Sequence, residues 1–141
     1  MSISTTDKYA ILVEKIYELT VSSELKWNVS PIRDGYSAPI GDRFVEILEA
    51  RSGNDENDIV LAITDKDGNV LDSFNDVALA DAVPRISGFR NYYFLMSDLL
   101  KRAGRVSSGA EDVLDNVLNI LGVSKADVPM RNYKKNDDMP F

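Results

Sequence analysis

Hydrophobic residues recur at helical spacing near the start of the chain. The stripe runs from Tyr9 to Thr20 with charged residues on the other side, which predicts an amphipathic helix of about four turns. Ser4 is placed to cap the N-terminus of this helix, with Asp7 three residues later. The polar side carries both signs of charge, which favours packing against a core over binding to a membrane surface.

Two further helical stripes occupy the C-terminal part of the chain. The first is expected to begin at Ser87 or Gly88 and to end at Gly104, since glycine is common just after a helix. The second is expected to begin with a capping box of Ser108 and Glu111. Both stripes are interpreted as core-facing, and their apolar positions are Phe89, Tyr92, Tyr93, Met96, Leu99, Leu100 and Ala103 in the first helix and Val113, Leu114, Val117, Leu118 and Leu121 in the second.

Between the first and second helices the hydrophobic period changes to two, which is typical of strands in a sheet. Pro39 indicates that the second strand lies at an edge, because proline cannot donate to a ladder. The polar turn from Asp65 to Asn69 joins the last two strands into a hairpin. The predicted strands cover residues 25–29, 36–40, 43–51, 59–63 and 70–74.

This order of elements predicts an α+β fold. It consists of an N-terminal helix, a five-stranded antiparallel meander, two C-terminal helices packed on one face, and an extended C-terminal tail. Residues 1–129 are expected to form a single domain, since 141 residues suffice for one core. Residues 130–141 are expected to form a flexible docking tail.

The composition removes several classes of chemistry, because the chain contains no cysteine and no histidine. Disulfides, thiolate nucleophiles, Ser-His-Asp triads and His-dependent metal sites are therefore excluded. We expect a protein that is not an enzyme and that uses no cofactor and no metal. The chain has no apolar run of membrane-spanning length and no secretion signal at its N-terminus, which together predict a cytoplasmic protein with no membrane partner.

The net charge of −7 is concentrated in one part of the chain. Residues 52–82 hold eight acids and one base, whereas acids and bases balance in the rest. Such an acidic face is suited to a basic partner protein. One hypothesis is therefore a protein-interaction module, such as an immunity, chaperone or defence-associated subunit.

Carboxylates in three places are candidates for chemical sites. Asp65, Asp67 and Asn69 have the spacing that begins a calcium loop, but the later glutamate of that loop is missing and a hairpin turn is favoured. Glu46 lies within an apolar strand and Asp98 lies beside an apolar helix stripe. Neither has a predicted partner, so structural or exposed roles are favoured over catalysis.

Basic and aromatic residues on three adjacent predicted strands are suited to single-stranded nucleic acid, which binds to cationic tracks with stacking platforms. Trp27 shares a predicted face with core residues, so Tyr36 and Lys26 are the better candidates. A second basic group flanks the Phe89 helix and could receive an acidic partner, including the tail of another copy. The candidate nucleic-acid residues are Lys26, Trp27, Arg33, Tyr36 and Arg43, and the second group is Arg85, Arg90, Lys101, Arg102 and Arg105.

The last residues of the chain, Asp137-Asp138-Met139-Pro140-Phe141, are poorly suited to a helix or a strand. A preset extended segment with an aromatic anchor and flanking acids is typical of a docking peptide. It resembles the acidic C-terminal tip of bacterial single-stranded DNA-binding proteins, although Met139 stands where that family has a branched aliphatic residue. The body instead resembles small bacterial α+β proteins with no activity to carry over.

The resemblance of the tip implies a function in docking, since in that family the tip binds repair, recombination and replication enzymes. We therefore expect a non-catalytic accessory or adaptor protein of bacterial or phage DNA metabolism. Its expected partners are proteins that recognise such a tip, through Asp137, Asp138, Met139, Pro140 and Phe141. Single-stranded DNA binding by the sheet face is the alternative, and a homodimer is a further candidate assembly.

Overall fold

The computed structural model describes residues 3–51 and 57–129, and it has the α+β fold that the hydrophobic pattern predicts. Part of the acidic segment, residues 52–56, and the whole tail 130–141 lie outside the described residues. The elements are helix α1 (Thr5–Val21), strands β1 (Asn28–Val29), β2 (Gly35–Ile40), β3 (Arg43–Arg51), β4 (Asn57–Thr64) and β5 (Val70–Asn75), a 3-10 turn (Asp76–Leu79), helices α2 (Tyr92–Ser108) and α3 (Ala110–Ile120), and a second 3-10 turn (Lys125–Asp127).

The five strands form one antiparallel sheet in the order β1-β2-β3-β4-β5, which confirms the predicted meander. β1 is shorter than predicted because only Asn28 and Val29 pair with β2. The prediction that β2 lies at an edge is wrong, since β2 lies between β1 and β3. Pro39 pairs with β3 but lies beyond the end of the short β1, so its missing N–H leaves no ladder bond unmade.

Helices α1 and α2 cover one face of the sheet and enclose the core. On this face Ile47 of β3 pairs with Leu61 of β4, which pairs with Phe74 of β5, and all three are buried. Tyr9 of α1 stacks on Phe74 with ring centroids 4.1 Å apart, which closes the β5 side. The buried core cluster ends at Ala103 of α2 and contains no residue of α3.

The loop between β1 and β2 reaches onto the second face of the sheet and is held there by a buried carboxylate. Glu46 of β3 is 3% exposed, and its Oε2 accepts a hydrogen bond from the Ser30 hydroxyl at 2.9 Å. Nη1 of Arg33 lies 3.3 Å from Oε1 and directs its hydrogen to Oε2, so Oε1 makes an ion-pair contact but no hydrogen bond. Nη2 of Arg33 donates to the carbonyl of Gly68 at 2.7 Å, which ties the loop to the β4–β5 turn.

The boundaries of α2 differ from the prediction at both ends. Gly88 has a φ of +101°, which is outside the helical region, and the helix begins only at Tyr92 with Asn91 as N-cap. At the other end Gly104 lies inside the helix, where a Cβ would come within 3.0 Å of the Tyr36 hydroxyl. This glycine permits a close approach of helix and sheet instead of ending the helix.

The junction between α2 and α3 is a single residue, Gly109, in the left-handed conformation. The predicted capping box is wrong: Ser108 is the last residue of α2, and Glu111 pairs with Arg105 instead. α3 also differs from the predicted packing, because none of its residues is buried and the sheet is covered without it.

The buried network predicts that Glu46→Ala will destabilise the protein by about 2 kcal/mol, since it removes charge-assisted hydrogen bonds from a buried site. Urea unfolding should show a lower midpoint with an unchanged slope. The matched control is Glu49→Ala on the same strand, whose carboxylate is exposed and accepts one bond from Asn57; its effect should stay within about 0.5 kcal/mol. Equal effects of the two changes would contradict the assigned role of Glu46.

Candidate interaction surface

α3 carries an apolar face that the rest of the described chain leaves uncovered. Six large aliphatic side chains of the helix and its C-cap are between 37% and 76% exposed. At 3.6 residues per turn they all fall on one side of the helix. They are Val113, Leu114, Val117, Leu118, Ile120 and Leu121. Contiguous apolar surface of this kind is typical of a site that binds another protein.

The opposite side of α3 is acidic and faces the body of the protein across a cleft of about 430 Å³. The helix contributes to this cleft only Glu111, Asp112 and Asp115, which are all of its acids. The body contributes cations, among them Lys26 and Arg102. The charges therefore turn the polar side of α3 inward and leave its apolar side facing out.

An ion pair at the junction holds this orientation. Nη2 of Arg105 lies 3.1 Å from Oε2 of Glu111, and Nε lies 3.3 Å from Oε1, so the contact is a two-pronged one. The guanidinium lowers the pKa of the Glu111 carboxyl below its usual range. Both side chains are about half exposed, so the pair selects an orientation more than it adds stability.

Asp98, a candidate catalytic carboxylate, and Asp65, a candidate calcium ligand, both have structural partners. Asp98 accepts hydrogen bonds from the Tyr17 hydroxyl at 2.6 Å and from Nε of Arg102 at 2.8 Å. Asp65 accepts hydrogen bonds from the backbone N–H groups of Asn69 and Asp67 within its turn, which lowers the pKa of the Asp65 carboxyl. Within residues 3–51 and 57–129 no group of three or more acidic side chains is placed to hold a metal ion.

The candidate nucleic-acid residues occupy separate environments. Trp27 is 1% exposed, and its Nε1 donates to the Thr20 hydroxyl at 2.9 Å, so it cannot serve as a stacking platform in this conformation. Tyr36 packs against Gly104 of α2, and Arg33 is bound to Glu46. Lys26 and Arg43 are exposed. Nucleic-acid binding therefore stays a prediction, with Lys26 and Arg43 as its exposed cations and the partly buried Tyr36 as its remaining aromatic candidate.

Three arginines of the second basic group, Arg90, Arg102 and Arg105, each contact a different side chain of the protein. Arg102 and Arg105 are ion-paired with Asp98 and Glu111. Arg90 lies 5.7 Å from the ring centroid of Phe94, which is 44% exposed beside Tyr93. The sequence pattern assigned Tyr93 to the core, whereas the structure places it at the outer surface of α2.

Comparisons with protein families, with curated proteins and with solved structures give no match for this chain. None of the helices in the described ranges is both long and apolar enough to cross a membrane. The tip residues Asp137 to Phe141 lie outside those ranges.

The burial of Trp27, the only tryptophan of the chain, gives a direct spectroscopic prediction. Its fluorescence should be blue-shifted and weakly quenched by acrylamide, because solvent does not reach the indole. Addition of oligo(dT) should leave the emission unchanged. Strong quenching by the oligonucleotide at low salt, lost at high salt, would instead indicate that the indole becomes available for stacking.

The tyrosines predict how stability changes at alkaline pH. Burial raises the pKa of Tyr92, and its 2.6 Å hydrogen bond to Glu14 raises it further. Because the folded state holds this proton more tightly, its stabilising effect is complete below the unfolded pKa of about 10 and is lost as pH rises above that value. The free energy of unfolding should therefore decline above about pH 10.

Comparison with Tyr92→Phe tests this linkage. At pH 8 the variant should be less stable by about 1 kcal/mol, since it lacks the hydrogen bond to Glu14. The difference should narrow as the pH passes 10, because the wild type then loses one more proton on unfolding than the variant, which still has Tyr9 and Tyr17. Absorbance at 295 nm reports phenol ionisation in the same titration, and parallel stability profiles would contradict the prediction.

Proposed function

We propose that this protein is a non-catalytic adaptor of bacterial or phage DNA metabolism, which docks onto partner enzymes through residues Asp137, Asp138, Met139, Pro140 and Phe141. In this function Phe141 is the buried anchor and Pro140 preorganises the segment. The two aspartates steer the tip to a basic site on the partner. The class of partner follows from the resemblance of the tip to that of bacterial single-stranded DNA-binding proteins.

The observation that carries an interaction function is the uncovered apolar face of α3. Six exposed aliphatic side chains on one helix face are costly to leave in water unless another molecule covers them. The carboxylates of Glu46 and Asp98 are both engaged in hydrogen bonds within the protein. The described part of the body thus supports a binding function through its exposed apolar surface.

The proposal predicts that loss of residues 136–141 abolishes binding to an enzyme that recognises the tip of single-stranded DNA-binding proteins. Phe141→Ala should weaken binding at least about tenfold, because a central aromatic anchor carries much of the energy of a small interface. Asn136→Ala is the matched control and should bind as the wild type does. Biolayer interferometry with the immobilised enzyme measures both.

Two further results distinguish tip docking from binding by the body. A peptide copy of an authentic tip should compete with the full chain for the enzyme. Replacement of Asp137 and Asp138 by Asn should slow association mainly at low salt, because these charges act at long range. Unchanged affinity of the truncated chain, together with no competition by the peptide, would refute the proposal and favour an interaction module that uses the body alone.

A further inference from the structure

We propose that the protein forms a homodimer in which the apolar faces of α3 from two copies pack against each other. The surface consists of Val113, Leu114, Val117, Leu118, Ile120 and Leu121. This inference is independent of the tip and of the partner that the tip binds. Its basis is the orientation of α3, the distribution of charge around it, and the area that it leaves exposed.

The body of the same copy does not provide a place for this face. The core cluster is complete with α1, α2 and the sheet, and it ends at Ala103. The body side of the cleft beneath α3 carries Lys26, Arg102 and Arg105 among polar and apolar side chains, and it lies opposite the acids of the helix. Turning the aliphatic side chains into this cleft would bury cations against apolar groups and would expose the acids, so the observed orientation is the favourable one.

The charge distribution is compatible with self-association. No charged residue lies within the apolar face, and the acids of α3 all line the cleft on its other side. Glu111, the acid that borders Leu118 on the helix circumference, is already paired with Arg105. Two copies can therefore bring their apolar faces together without placing like charges in contact, which is the usual obstacle to pairing acidic surfaces.

The exposed area is sufficient for a reversible dimer. Six aliphatic side chains that are roughly half exposed present on the order of 500 Å² per copy, which is near the upper end for apolar patches on monomeric proteins. A two-fold contact buries the same patch on both copies. The total, on the order of 1,000 Å², meets the lower limit of specific interfaces and predicts association in the micromolar range.

Sedimentation velocity from about 1 to about 300 µM tests the proposal, since an interface of this size should associate within that range. The wild type should pass from 15.7 kDa toward twice that mass as concentration rises. Val117→Glu places a charge in the middle of the apolar face and should raise the dimer Kd by at least about a hundredfold. Asn119→Glu adds the same charge on the polar side and should dimerise as the wild type does.

Both positions are exposed in the described structure, so neither variant should unfold the domain, and far-UV circular dichroism checks this. Site-specific cross-linking provides a second measurement, because the chain has no cysteine of its own. Val117→Cys lies midway along the face and should form a disulfide-linked dimer under mild oxidation. Asn119→Cys should remain monomeric under the same conditions.

Three outcomes would overturn the proposal. The first is a wild type that stays monomeric over the whole concentration range. The second is equal behaviour of Val117→Glu and Asn119→Glu. The third is dimerisation only after residues 130–141 are removed, which would identify the tail of the same copy as the occupant of the α3 face. A wild type that stays monomeric and binds a different protein through Val117 would also overturn the proposal.

Discussion

The arrangement of this protein depends on how the two faces of its sheet are covered. α1 and α2 supply the apolar side chains for one face, and Tyr9 stacked on Phe74 completes that layer. On the other face Glu46 gathers the Ser30 hydroxyl and the Arg33 guanidinium over β3. A buried carboxylate is costly unless it is compensated, so it fixes the course of this loop more than it adds net stability.

Because α1 and α2 already cover one face of the sheet, α3 contributes no residue to the buried core. Its one-residue connection at Gly109 keeps it beside the end of α2, and the Arg105–Glu111 pair sets which side turns inward. The acids then face the cations of the cleft and the aliphatic residues face solvent. The Arg105–Glu111 pair and the charges of the cleft thus favour the orientation in which the apolar side faces solvent.

Local signals in the sequence predicted the elements well, and contacts between distant residues account for most of what they missed. The cap at Ser4 and the turn from Asp65 to Asn69 were predicted correctly, since both depend on neighbouring residues. The pattern wrongly predicts a helix end at Gly104, because the role of this glycine, which is to admit Tyr36 of β2, depends on a residue far away in sequence.

The same limitation applies to the candidate surface. The apolar stripe of α3 was visible as a pattern, but amphipathic spacing alone cannot tell a core-facing helix from one that faces a partner. The C-terminal tip, residues 137–141, lies outside the described residues, so its docking role stays a prediction from the sequence.

The weakness of the inferred α3 contact has a consequence for the proposed adaptor function. An interface near the lower size limit dissociates at low concentration, so the dimer would form only where the protein accumulates. Each copy carries one tip, and a dimer therefore carries two. Binding of the first tip would raise the effective concentration of the second, so a modest affinity per tip would suffice for a partner that presents two sites. With an α3 face too small for a permanent dimer, binding to a partner with two sites would therefore depend on the local concentration of this protein.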